Sequence, residues 1–233
     1  MDNLLYFIWG FLAFQIVGTL LELAFYQGGL TSTIDYETAG MFLAYAFMVL
    51  GFVLYIFLRN REALFDVFRG FARFRDLLIG LFIFMVTSLI GSIYSNILEN
   101  TVSWFADNAN QESVISMVET FPLASFFMIV LFAPFSEELT YRVGLNGAFG
   151  RKRRWIGILV SVLVFALAHF DFTSIETAMA GDPLALYREL LNLPVYLLAA
   201  LGLCLAYLAT GNVAASMNAH MINNLISFVS ILV

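Results

Sequence analysis

Residues 124–142 read ASFFMIVLFAPFSEELTYR. As far as Ser136 the run is uncharged and dominated by Phe, Leu, Ile, Val and Met. It then ends on two adjacent carboxylates, Glu137 and Glu138, with Arg142 one helical turn further on. An ionisable group in hydrocarbon costs about 2.5 kcal/mol or more, so one inside a membrane helix reads as part of a site. Two other apolar runs carry one each. WIGILVSVLVFALAH, residues 155–169, ends on His169, and AASMNAHMINNLISFV, residues 214–229, holds His220. The chain has no other histidine. Three apolar segments that each bear such a group predict one shared polar site inside an all-α, polytopic transmembrane bundle.

Composition fixes the class. The chain is 61% hydrophobic and 12% charged, with mean hydropathy +0.89. A soluble domain carries about 25% charge. The single cysteine, Cys204, excludes an internal disulfide and reads as a small apolar residue of a membrane helix. No low-complexity tract, soluble domain or repeat is visible. The whole of 1–233 reads as a single membrane domain, with N-terminal helices in 1–120 and the motif-bearing helices in 121–233.

Seven segments are long enough to cross, near 4–26, 40–58, 77–98, 121–146, 155–171, 190–210 and 213–232. The fifth is short and is expected to run on past His169. The first lacks a basic n-region and a cleavage site, so it reads as a crossing and not a signal peptide. Nine of the eleven basic residues fall in two loops: Arg59, Arg61, Arg69, Arg73 and Arg75, then Arg151, Lys152, Arg153 and Arg154. The positive-inside rule makes both loops cytoplasmic. The acidic loops holding Asp35 and Glu37, Glu99 to Glu119, and Asp171 to Glu189 would face outward. Seven crossings then put the N-terminus in the cytoplasm and the C-terminus outside. Trp9, Trp104 and Trp155 fall near segment ends, as interfacial aromatics do. NREALFDVFRGFARFRD, residues 60–76, alternates Phe with Arg at helical spacing and reads as an amphipathic interfacial helix with Arg toward headgroups. These arginines are explained by topology, so no nucleic-acid partner is expected.

Spacing constrains the site. Glu137 and His169 lie sixteen residues either side of Arg153, in the basic turn. At 1.5 Å per residue both reach a similar depth, roughly 20 Å from that turn. Glu138 and Arg142 are i,i+4 neighbours in the favourable order, so they read as a structural ion pair. Glu137 points about 100° away, without that partner, and is free to act. Pro134 removes a backbone hydrogen bond and loosens the helix beside it. His220 and Asn224 share a helix face, with Asn218 and Asn223 nearby, and can donate to a developing oxyanion. Phe165 can pack against His169 and restrict its rotamers. Thr140 and Tyr141 read as packing residues, and Asp171 as a residue of the outer loop.

Glu137-Glu138-x-x-x-Arg142, Phe165-x-x-x-His169 and His220-x-x-x-Asn224 resemble, in order and spacing, the three motifs of the CAAX prenyl protease and bacteriocin-processing (CPBP, or Abi) family, with type II CAAX prenyl endopeptidases among its members. The resemblance covers about 121–228. It implies an intramembrane glutamate protease in which Glu137 activates water, His169 helps hold that water, and His220 and Asn224 form the oxyanion hole. Glu138 and Arg142 would support the site. A carboxylate in a low-dielectric cavity is a better base, and the helices must enclose enough water to reach the bond.

One Glu and two His also match a His₂Glu zinc set, in which Glu137, His169 and His220 would be the ligands. The H-E-x-x-H helix is absent, and the metal-free reading, with no cofactor, is preferred. Two other classes stand beside a protease. A proton-coupled transporter would need further acidic groups along a path, and Glu22 is the one strong candidate. A non-catalytic adaptor or immunity protein would keep the fold but not need Glu137. The implied partners are membrane lipids and a membrane-embedded or lipidated peptide or protein substrate. The compact chain fits a prokaryotic cell membrane, and prenylated substrates are then less expected than a membrane peptide. The spacing of Gly202 and Ala206 is too common among membrane helices to define an oligomer.

Overall fold

The computed structural model describes residues 2–29 and 32–233, and among these the chain is helical with no strand. The helices are α1 (Asn3–Gln27), α2 (Thr33–Arg59), α3 (Arg61–Gly70), α4 (Phe74–Thr101), α5 (Ala109–Thr120), α6 (Pro122–Asn146), α7 (Arg154–Leu167), α8 (Thr173–Met179), α9 (Leu184–Thr210) and α10 (Val213–Leu232). By length and apolarity, five can cross a membrane: α1, α2, α4, α6 and α9. The other two expected crossings are helices as well. Helix α7 is short, and Asn218, His220, Asn223 and Asn224 lower the apolarity of α10. The bundle is that of a multi-pass membrane protein.

Small residues set the close approaches. Helix α1 runs antiparallel to α6, with Gly144 against the backbone of Phe7 and Gly10 against Thr140. It also runs antiparallel to α2, where Gly18 faces Ala44 and Gly51 lies under the Trp9 indole. A second close pair is α4 with α9, where Gly202 lies against Thr87. The largest core, which includes Phe84, Tyr141, Phe165 and Leu203, lies among α4, α6, α7 and α9. Another joins α2, α3, α6 and α10 through Phe52, Leu64, Leu139 and Met217.

Helix α3 is the expected amphipathic helix. Leu64 is buried against the bundle while Phe65 and Phe68 stay exposed. Arg69 is ion-paired with Asp66 at 3.4 Å and Glu62 at 3.6 Å. Asn212, before α10, clamps its end by donating to the Gly70 carbonyl at 3.1 Å.

Several sequence expectations need correction. Helix α7 stops at Leu167, so His169 lies in a turn beyond it. Helix α6 is π-helical over Phe126–Phe132 and Leu139–Asn146. Helices α5 and α8 occupy segments taken as loop. Glu37 belongs to α2, and the side chain of Asp35 lies outside the described residues. Glu189 is buried in α9, which begins six residues before the expected 190. Trp9 packs between α1 and α2, its indole N–H donating to the Met48 carbonyl at 3.2 Å. Trp104 and Trp155 are exposed.

Candidate active-site cavity

In the run 133–142 every side chain is buried except that of Glu137. Glu138, one step round the helix, is fully enclosed. Its carboxylate accepts from Arg142 Nε at 3.1 Å and Nη2 at 3.4 Å. Arg142 is also buried, donates to Ser161 Oγ at 3.3 Å, and lies 4.8 Å from the centre of the Phe165 ring. This is the structural ion pair expected from i,i+4 spacing.

Glu137 is left without Arg142 but has another partner. The Tyr45 hydroxyl, reaching from α2, donates to its Oε1 at 2.8 Å. That leaves Oε2 for another ligand. No spacing rule links Tyr45 to a motif 92 residues away, so sequence reasoning missed it.

A cavity of about 210 Å³ lies beside Glu137, and Phe165, His169, His220 and Asn224 also line it. Glu138 and Arg142 lie behind the wall. The structure thus gathers the four residues expected to act around one space and keeps the supporting pair out of it. Asn223 lines the cavity and donates to Asn224 Oδ1 at 3.2 Å, whereas Asn218 does not reach it.

Both imidazoles are oriented. His169 Nδ1 stands 2.8 Å from the Phe165 carbonyl, which can only accept, so Nδ1 donates and Nε2 is left over. This contact takes the carbonyl that another helical turn would use, which accounts for the end of α7 before His169. The His169 ring lies between Phe165 and Tyr196, with centroids 4.7 and 4.9 Å away. His220 Nδ1 stands 3.2 Å from Glu138 Oε1. An ionised carboxylate held by Arg142 accepts only, so here too Nδ1 donates and Nε2 is left over. His220 is therefore joined to the buried pair, a link that sequence spacing did not reveal.

Pro134 has a definite consequence. In the π register of the preceding turns, the Ile129 carbonyl would receive the N–H of residue 134, which proline lacks. Asn224 Nδ2 donates to that carbonyl instead, at 2.9 Å. The helix break and the last motif thus position each other.

A buried carboxylate outside the motifs holds the far wall. Glu189 accepts from the N–H of Ala109 at 2.9 Å and of Asp171 at 3.1 Å, and from Asn108 Nδ2 at 3.2 Å. Asn108 also donates to the His169 carbonyl at 3.1 Å and receives the Tyr196 hydroxyl at 3.1 Å. The Asp171 carboxylate caps the turn after His169 by accepting from the Thr173 N–H at 2.9 Å.

Glu137, His169 and His220 are not gathered as a three-ligand set. Among the described residues no three His, Cys, Asp or Glu side chains stand close enough to hold a metal ion.

Fold and site together define a multi-pass α-helical membrane protein with a Glu, two His and an Asn around a cavity within the bundle. Residues 119–226, just under half of the chain, match the family model described as type II CAAX prenyl endopeptidase Rce1-like. The family resemblance read from the motifs thus holds over the C-terminal half. The chain is also 27% identical over 157 residues to the UPF0177 protein YvdC of Lactococcus lactis subsp. lactis. That match covers 67% of this chain but 52% of the relative, so the chain spans about half the length of the curated protein it matches. No solved structure matches it.

Proposed function

We propose that the protein is an intramembrane endopeptidase that cuts a membrane-associated peptide or protein by glutamate-activated hydrolysis. The observation that carries this is the division of labour around one cavity. Glu137, His169, His220 and Asn224 line the same space, Glu138 and Arg142 lie behind its wall, and the Nε2 of each imidazole is left over. Water is held by Glu137 Oε2 and His169 Nε2. Its oxygen attacks the scissile carbonyl carbon as its proton passes to Glu137. The oxyanion is received by the Asn224 Nδ2–H not spent on Ile129 and by His220, whose Nδ1–H rests on Glu138. Collapse breaks the C–N bond, and Glu137 returns the proton to the leaving nitrogen.

The family model and the polar cavity in an apolar bundle support this reading over a transporter or an adaptor. The reaction needs no metal. The substrate class is a membrane-embedded or lipidated peptide, and the membrane lipids are its setting.

The test is cleavage of a quenched-fluorescence peptide panel, prenylated and plain, by purified protein in liposomes. Glu137→Gln is expected to lower the rate by about 10³-fold or more, within the range for loss of a general base. A chelator is expected to leave the wild-type rate unchanged. Full activity of Glu137→Gln would overturn the glutamate mechanism, and zinc-restorable loss on chelation would replace it with the metal reading.

A further inference from the structure

A second cavity, of about 360 Å³, meets the first at Tyr45, Glu137 and His169. The two differ in lining. The first adds Phe84, Met128 and Leu203 together with polar Gln111, Asn224 and Ser227, and no further carboxylate. The second runs between α1 and α2 and adds Gln15, Thr19 and Glu22. Glu137 and His169 therefore stand at a junction with a cavity on each side.

Helix pairing places Glu22 relative to Glu137. In the antiparallel contact of α1 with α6, Asn3 faces Gly147, Phe7 faces Gly144, and Gly10 faces Thr140. Continuing that register sets Glu137 opposite Ala13. Glu22 then lies nine residues further along α1, or about 13 Å. Its stem is wedged against Gly40 of α2, where a Cβ would come within 2.5 Å of Glu22 Cγ. This holds the side chain between the two helices, where it lines the cavity.

Glu22 has no hydrogen-bond or ion-pair partner among the described residues. No Lys or Arg precedes Arg59 in the chain. A carboxylate at membrane depth, facing a cavity and lacking a cation of its own, has as its complement a cation brought by the occupant. The distance fits a peptide. An extended chain rises about 3.3 Å per residue, so 13 Å is about four residues.

We infer that the second cavity is a substrate subsite for a basic side chain or amine, with Glu22 as its counter-charge, about four residues from the scissile bond. This rests on the peptidase reading above. The first cavity takes the other side of the bond.

The test separates binding from cleavage. Two N-acetylated apolar decapeptides, differing only by one lysine against norleucine four residues from the centre, are bound to Glu137→Gln protein in phosphatidylcholine nanodiscs. The zwitterionic lipid removes adventitious attraction of the lysine to the bilayer. The lysine peptide is expected to bind about tenfold tighter, an advantage that Glu22→Gln abolishes. Glu22→Lys should reverse the preference toward a glutamate peptide, which a merely structural residue would not do. Equal affinity for both peptides, or no binding of either, overturns the subsite. Cleavage of the same peptides by the wild-type chain is scored separately. A retained lysine preference without cleavage would break the peptidase reading and leave the subsite standing.

Discussion

Two layers of the bundle, one residue apart in sequence, treat a glutamate in opposite ways. Around Glu138 the packing is dry. Arg142 and His220 Nδ1 hold the carboxylate, and Arg142 is itself held by Ser161 and the Phe165 ring. Around Glu137 the packing opens into two cavities, and a single tyrosine hydroxyl from a distant helix steadies the carboxylate. Neighbouring side chains on a helix diverge by about 100°, which puts one in the wall and the other in the space. A buried, fully paired charge supports the fold, while one left half-satisfied beside water-sized space is available for chemistry. The layers are coupled, because His220 and Phe165 touch both.

The largest stability effect expected from this contrast is at Arg142. Arg142→Ala leaves Glu138 buried without its cation, a loss of about 3–5 kcal/mol. The variant should accumulate poorly in membranes and melt far below the wild type in detergent. Glu138→Gln should behave similarly, because it removes the negative charge that balances buried Arg142. Glu137→Gln should match wild-type accumulation and melting, since a Gln carbonyl can still receive the Tyr45 hydroxyl. Wild-type melting of Arg142→Ala would remove the distinction between the layers.

A smaller effect is expected where α1 docks on the motif-bearing helix. A Cβ on Gly144 would stand 2.7 Å from the backbone nitrogen of Phe7. Backbone cannot swing aside as a side-chain tip can, so Gly144→Ala should destabilise by about 1–3 kcal/mol. Gly91→Ala provides the contrast, since its Cβ would meet its nearest neighbour at an ordinary 3.7 Å. Thermal unfolding of both in one detergent decides the point. Equal melting would mean that α1 is not tightly seated on α6.

The motif half was legible because burying an ionisable group in hydrocarbon leaves few explanations. Glu137, His169, His220 and Asn224 were each marked by polarity out of place, and the structure brings them to one cavity. The ion pair of Glu138 and Arg142 was legible from local helical spacing alone. What escaped was non-local or irregular. Tyr45 is one of ten tyrosines in an aromatic-rich chain, and only tertiary pairing selects it. Glu189 looked like a loop acid because the helix start before Pro194 carries mixed polarity, yet it is buried and anchors the turn after His169. The π turns of α6 have no simple residue pattern, although Pro134 marked where the helix departs from regularity. The N-terminal helices were visible only as apolar lengths, and their contribution to the site comes from pairing with α6.

The smallest expected effect concerns that contribution. Tyr45→Phe keeps the ring contact with Phe14 and removes only the hydroxyl on Glu137 Oε1. The carboxylate then samples more rotamers, and the water it holds is less well aimed. A loss of about tenfold in kcat is expected, equal to about 1.4 kcal/mol of barrier. KM should be unchanged, because in the proposed mechanism the hydroxyl touches the base and not the substrate. The split is informative because Tyr45 also lines both cavities, where it could meet a peptide directly. A raised KM with kcat intact would assign Tyr45 to substrate binding. It would also leave Glu137 held by the packing of α6 alone, and the open layer would be as rigid as the dry one beneath it.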